Sequence, residues 1–373
     1  MNIIVPHGFE PNYWIGYVKG LQKNGIKFCV ISSHITKDKL DNSNIENINL
    51  RGDQSENRCL KQKVIDMLLY YKRLIHYLIK HKYSIIHFTG IFREEFVFFE
   101  GIFLSLLFRA VSLKYIYTVH NILPHNKEKS IYYKIIYRFI YRMPNILLVH
   151  TELMKIQLID IFKVAADKIE VISIGLNEEI PIKGISSSYA RNKLGFRSTD
   201  KVILAFGSID HYKGIDLLIE AVGGLSIPSL KLAIAGRFKN EAYKKEIYAL
   251  INALSNPDVV SLFDRFIPNE EVEVFFRACD VIILPYRSID QSGVVFLALQ
   301  FGIPIIASDV GALSQFIDNS IGIIVKRNDV KALADAISFF YPNKNTFDHT
   351  IIKINGNKYR WENICKRIKY LYE

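Results

Sequence analysis

Short runs of Ile, Val, Leu and Tyr alternate along this chain with longer stretches in which apolar residues recur every three or four positions. The first pattern belongs to strands buried on both faces, the second to amphipathic helices that cross between them, so the chain predicts an α/β fold with parallel sheets. In the first half the spacing predicts strands over 2–6, 27–32, 84–88, 114–119, 145–150 and 168–174, with helices over 13–23, 60–80, 94–110, 130–141 and 152–162. The rhythm breaks between Gly175 and Ser188, where Gly, Pro and a serine run read as a linker. It then restarts, with strands over 202–206, 231–235, 259–263, 281–285, 304–307 and 322–325 and helices over 214–222, 241–253, 270–278, 294–301 and 330–340. Two Rossmann-like domains follow, 1–180 and 181–357, and 358–373 reads as a basic, aromatic C-terminal helix free to pack back on the first domain.

A length of 373 residues agrees with two cores, and half the residues are apolar, which excludes a disordered chain. The net charge of +11 points to an anionic partner such as a nucleotide, a nucleic acid or an acidic lipid surface. No recognition helix or aromatic RNA platform is recognisable, so nucleic acid ranks last. The four cysteines are far apart and in no metal pattern, which fits reduced thiols. No charged leader precedes the first apolar run, and the most apolar later stretch, 96–108, is broken by Glu100 and too short for a span of about 20 residues. The expectation is a cytoplasmic protein without a transmembrane anchor.

Candidate chemistry lies where strands end. The strand at 281–285 runs into Asp290, Gln291, Ser292, Gly293 and Val294, a polar loop opening a helix, which presents unpaired N–H groups and the positive end of a helix dipole to an anion. The strand at 202–206 ends at Gly207 and Ser208, with Lys213 at the next helix start. A glycine that lets backbone approach a phosphate, followed by a cation, suits a pyrophosphate; the alternative is a solvated surface lysine. Arg237, at the end of a third strand, shares that edge. In the first half, His120 ends a strand where an imidazole can bond a sugar hydroxyl or move a proton, and His125 follows it. His7, Gly8 and Glu10 form the loop after the first strand, a place for an acceptor, with Glu10 as a base if the chemistry inverts. Lys134, Arg138 and Arg142 recur at i, i+4 on an aromatic helix, as on a helix lying on an anionic membrane surface. The sequence has no DxD triplet, so metal independence is expected, with no cofactor beyond the donor substrate.

The segments FGSIDHYKGIDLLIEAV, AGRF and ACDVIILPYRSIDQSGVVFLALQFGIPIIASDVGAL resemble the group 1 (family 4) glycosyltransferases of GT-B fold, and PYRSIDQSGV with FGIPIIASDVG resembles their capsule and exopolysaccharide members. TVHNILPH and VHTELMKIQL extend the resemblance into the first half. It implies two Rossmann-like domains facing a cleft, the second holding a nucleotide-sugar and the first a polyprenyl-linked or other saccharide acceptor. By position, Gly207 and Lys213 match the diphosphate loop, Ser292, Gly293 and Val294 the loop whose amides meet the phosphates, and His120 the histidine near the transferred sugar. The implied reaction retains the anomeric configuration. Two departures stand out. The pair of glutamates many members carry falls here at Ile289 and Leu297, and Asp210 stands where relatives often have arginine. An inverting transferase of the same fold, or a catalytically silent scaffold subunit, are the alternatives.

Overall fold

The structure is a computed structural model that describes residues 1–6, 11–55, 58–91, 96–124, 130–289 and 292–373. The chain divides into two units, Met1–Gly175 with Trp361–Glu373, and Leu176–Arg360.

In the first unit the elements are β1 (Asn2–Val5), α1 (Pro11–Lys23), β2 (Cys29–Ser32), α2 (His34–Asp41), β3 (Asn47–Asn49), α3 (Leu60–Lys80), β4 (Tyr83–Phe88), a π-helical turn Phe99–Leu104 leading into α4 (Ser105–Val111), β5 (Ser112–Thr118), α5 (Ile131–Arg142), β6 (Ile146–Val149), α6 (Glu152–Asp160) and β7 (Ile169–Val171). The strands form one seven-stranded sheet in the order β3-β2-β1-β4-β5-β6-β7, and every pairing is parallel. Because side chains alternate across a pleated strand, neighbours enter opposite cores. Ile3, Ile86, Tyr115 and Leu147 join one cluster with Leu74, Phe108 and Ile140. Ile4, Ile85, Ile116 and Leu148 join the other with Trp14, Tyr17, Trp361 and Ile368.

The second unit contains α7 (Ser187–Lys193), β8 (Lys201–Phe206), α8 (Ile215–Gly223), β9 (Leu230–Ala235), α9 (Glu241–Ala253), β10 (Val260–Phe263), α10 (Asn269–Ala278), β11 (Val281–Leu284), α11 (Gly293–Phe301), β12 (Ile305–Ser308), α12 (Leu313–Phe316), β13 (Gly322–Val325), α13 (Val330–Asn343) and α14 (His349–Gly356). Its six-stranded sheet runs β10-β9-β8-β11-β12-β13, again all parallel. The chain then returns to the first unit as α15 (Trp361–Arg367), which lies on α1. Glycine makes that approach possible: a Cβ on Gly16 would stand 2.2 Å from the Trp361 indole nitrogen, and one on Gly175 2.3 Å from its ring.

The expected single helix over the last residues is broken, α15 being flanked by 3-10 turns at Asn357–Tyr359 and Lys369–Leu371. The stretch read as a linker is pinned: the Lys183 and Gly184 N–H groups donate to the buried Glu273 carboxylate at 2.6 and 2.8 Å, and Ser186 caps α7. Among the described residues no helix is long and apolar enough to cross a membrane.

Candidate functional site

The carboxyl edge of the second sheet carries two loops that are tied to each other. After β8, Gly207 turns the chain with φ +103°. Asp210 then caps a 3-10 turn, its carboxylate accepting the His211 N–H at 2.7 Å. The turn closes at Gly214 with φ +64° before α8 begins. A Cβ at Gly214 would stand 2.0 Å from the Pro285 carbonyl oxygen, so the segment after β11 passes directly across this turn. Arg287 fixes the crossing. Its N–H donates to the Tyr212 carbonyl at 2.8 Å, and its guanidinium donates to the His211 carbonyl at 2.9 Å and to both oxygens of Asp216. Tyr243 donates its hydroxyl to the same carboxylate at 2.6 Å. Arg287 holds the Asp216 carboxyl below its usual range, against a burial that pushes the other way.

Lys213 lies inside this junction at 7% exposure, so it is not the solvated lysine that the sequence left open. Its ammonium donates to the Tyr286 hydroxyl at 2.9 Å and sits 4.5 Å from that ring and 5.7 Å from the Tyr212 ring. The Tyr286 hydroxyl in turn lies 3.3 Å from Ser292 Oγ. No carboxylate of a described residue pairs with Lys213. Burial pulls its pKa down, the Tyr286 and Tyr212 phenols pull it up, and the net direction is upward. A buried ammonium with phenols but no carboxylate among the described residues is left with its charge uncompensated, as a site for an anion requires.

The second loop brings the complementary feature. Ser292 is extended and 3% exposed, and its side chain makes no cap bond to α11. The first turn of α11 holds no acidic residue, and nothing lies within 4 Å of where a Gly293 Cβ would project. Among the described residues the Gly293 and Val294 N–H groups make no hydrogen bond, while that of Val295 donates to the Ser292 carbonyl at 3.2 Å. The two loops converge at Gly207, where a Cβ would stand 3.6 Å from Lys213 Nζ and 3.7 Å from Val294 Cγ2. Ser208 is half-buried on the same turn, and Arg237 is exposed beside it, its carbonyl accepting the Ile209 N–H at 2.8 Å. Asp290 and Gln291 lie outside the described residues. Leu297 is buried in α11.

In the first unit His120 follows β5 and is not alone. Its Nε2 donates to the Thr89 carbonyl at 2.8 Å, and its Nδ1 lies 3.2 Å from Nε2 of His150. His150 Nδ1 bonds the Ile172 carbonyl at 3.1 Å. The Tyr13 ring packs edge-on against both imidazoles. A third histidine, His87, links Thr118 Oγ1 at 2.7 Å to the Tyr372 hydroxyl at 2.6 Å, which reaches Tyr17 at 2.7 Å. Burial pushes these imidazoles down, His120 to about 4 and His87 and His150 to about 3, so all three are neutral at pH 7. Sequence reasoning missed His87 and His150, although His150 ends its strand just as His120 does. His7, Gly8, Glu10 and His125 lie outside the described residues.

On α5, Arg138 and Arg142 are exposed and Lys134 is half-buried. The same outward face carries Ile131, Tyr132, Ile135 and Phe139, all more than half exposed, and Tyr132 meets the exposed Phe98 at a ring distance of 6.1 Å. The buried face is Ile136, Tyr137, Ile140 and Tyr141.

Two Rossmann-like units with all-parallel sheets are the GT-B arrangement of α/β proteins. Residues 187–355 match the family of glycosyl transferases group 1, and residues 12–180 match glycosyltransferase family 4. Residues 187–355 thus form a group 1 glycosyl transferase domain and residues 12–180 a glycosyltransferase family 4 domain, on a GT-B fold. It is 25% identical over 229 residues to an uncharacterized glycosyltransferase of Methanocaldococcus jannaschii, covering 59% of this chain and 57% of that one. It is also 25% identical over 162 residues to the lipopolysaccharide core biosynthesis mannosyltransferase LpsB of Rhizobium meliloti, covering 42% and 45%. The chain thus spans about half the length of these curated relatives. Among solved structures, Anabaena HepE in complex with UDP-glucose superposes with a TM-score of 0.75 at 16% identity, covering 100% of this chain and 99% of that one. At that identity the likeness speaks for the fold.

Proposed function

We propose that the protein transfers a sugar from a nucleoside diphosphate donor, held by the second unit, to a saccharide acceptor held by the first, with retention and without a metal ion. The observation that carries this reading is the buried Lys213 ammonium, unmatched by any described carboxylate, at the junction of two loops that offer backbone N–H groups. The acceptor hydroxyl attacks the anomeric carbon on the face the nucleotide leaves, and the departing diphosphate takes the hydroxyl proton. Lys213 and the first amides of α11 hold the charge that develops. His120, neutral and held by donating its Nε2–H to the Thr89 carbonyl, offers a rigid ring edge to the acceptor and does not carry the proton. The lipopolysaccharide role of the Rhizobium relative and the capsule-like motifs favour a place in cell-surface polysaccharide assembly on a lipid-linked acceptor. The mixed basic and apolar face of α5 supports a peripheral position on an anionic membrane, with Arg138 and Arg142 at the headgroups and Phe139 in the boundary.

Calorimetry with UDP, GDP and ADP in EDTA tests the donor site: one of them binds wild type, and Lys213→Met loses it. Binding that appears only with added Mg2+ would end the metal-free reading. The anomeric configuration of isolated product decides retention, and an inverted product would move attention to Glu10 and His125. Leu297, an apolar side chain where relatives carry a glutamate, favours one second reading, a silent scaffold subunit. Failure to bind any nucleoside diphosphate, together with capture of another transferase, would support it.

A further inference from the structure

The first unit has a polar cavity of about 310 Å3 that the reading above leaves unused. It lies where β2 and β3 end, walled by His34 at the start of α2, by Arg51, Gly52 and Asp53 after β3, and by Asp66 and Arg73 of α3. Ligands of open parallel sheets sit beyond the carboxyl ends of strands, so its place is that of a substrate pocket.

The charges within it are not equivalent. Both carboxylates are engaged by the fold. Asp66 accepts from Arg58 Nη1 and Gln62 Nε2, each at 2.7 Å. Asp53 accepts the Ser55 N–H at 2.8 Å and the Ser55 hydroxyl at 3.1 Å. These bonds hold both carboxyl groups below their usual range. The cations are differently placed. Arg51, 8% exposed, is braced by donating to the Pro6 carbonyl and by lying 5.3 Å from the Tyr70 ring centroid. Arg73 makes no hydrogen bond or ion pair with a described residue, and its Nη1 stands 3.8 Å from where a Gly52 Cβ would be, so glycine leaves its guanidinium room. The braced guanidinium of Arg51 beside that of Arg73, unpaired among the described residues, with an imidazole at the rim, presents N–H forks that can each meet two oxygens of a phosphate.

We infer that this cavity binds a phosphate or diphosphate group of the acceptor, with Arg73 and Arg51 as its ligands and His34 at its edge. The inference rests on the reading that the first unit takes the acceptor, and it predicts that the acceptor is phosphorylated. An acceptor that must carry a phosphate places this transfer after a reaction that forms a sugar phosphate or a sugar joined to a carrier through phosphate.

The test uses the full chain and inorganic pyrophosphate, followed by calorimetry and by the NMR signals of arginine Nε–H groups. Wild type shows two sites. Lys213→Met removes one; Arg73→Gln weakens the other tenfold or more while leaving the affinity for UDP within twofold. Arg73 is exposed, so the variant keeps its melting temperature. An unchanged pyrophosphate isotherm in Arg73→Gln, or an Arg73 Nε signal unmoved by saturating pyrophosphate in wild type, overturns the inference. Failure of UDP to bind while Arg73 still responds would count against the donor reading alone. Arg73-dependent retention on phosphatidylcholine vesicles doped with a polyprenyl diphosphate sugar assigns a lipid carrier. Arg73-dependent competition by free hexose 1-phosphate assigns a soluble acceptor, and neither effect means that the cavity is not an acceptor site.

Discussion

The two units share the strand order third-second-first-fourth-fifth-sixth, yet they handle polarity at the carboxyl edge and at the outer helices in opposite ways. The second unit buries a charged group there, Lys213, and leaves helix amides open beside it. The first carries three imidazoles that are neutral at pH 7, His87 and His150 buried and His120 half-buried, whose nitrogens bond carbonyls or hydroxyls. On the outside the contrast reverses. Leu60, Leu68, Phe98, Phe103, Leu106, Ile131 and Phe139 stand exposed on first-unit helices, while the second unit exposes far fewer large apolar side chains among the described residues. One topology thus carries a buried lysine at the edge of one sheet and, at the edge of the other, neutral imidazoles and the buried Arg51, behind helices richer in exposed apolar side chains. Side chains at strand ends, and not the sheet, set the chemistry.

The sharpest way to break the comparison is Lys213→Met. If the second unit buries its ammonium for an anion, turnover falls on the order of 10^2–10^3-fold while the unliganded protein keeps its melting temperature, because the Tyr286 and Tyr212 phenols offset the burial of the charge. Steady-state kinetics and thermal melts measure the two effects. A fall in melting temperature would mean that Lys213 serves the fold.

The histidines give the complementary test by pH. Their folded pKa values lie near 3 to 4, below the unfolded value of about 6.5, so the unfolded chain takes up protons first as pH falls. Their contribution is complete above pH 6.5 and is lost on acidification towards pH 4. Each ring costs about 1.4 kcal/mol per pH unit in that window, or roughly 2 kcal/mol by pH 5. Urea titrations at pH 7, 6 and 5 should show this slope, and His150→Gln should flatten it. A pH-independent midpoint would show that the imidazoles are hydrated.

Asp216→Asn comes next, with an expected loss of about 2 kcal/mol, since it strands the Arg287 guanidinium that ties the loop after β11 to the turn after β8. It should weaken nucleotide binding as well, and unchanged binding would separate the clamp from the site. The smallest effect is on the outer surface. Arg138→Gln should reduce partition onto anionic vesicles about fivefold, from roughly 1 kcal/mol per basic residue near the headgroups, without altering the melting temperature. Equal partition of both proteins would leave the basic residues no part in it.

Much of this was legible because the signals are local. Fully apolar runs such as Val281–Leu284 mark buried strands, and glycine and serine at their ends mark the turns that carry Gly207, Lys213 and Ser292. What escaped is long-range or polar. β3 is the three residues NIN in a segment rich in Asn and Asp, and it is held as an edge strand by pairing with β2. Arg287 finds Asp216 across 71 positions, and Glu273 pins backbone 90 residues away.

The return of α15 to the first unit sets an order for maturation. Residues emerge from the ribosome in sequence, so the groove around Gly16 and Gly175 waits, open and greasy, until Trp361 is synthesised. The later-made unit is uninterrupted in the chain and can finish first. The half translated earliest is therefore the last to become native, and through most of translation it is the part that a chaperone must shelter.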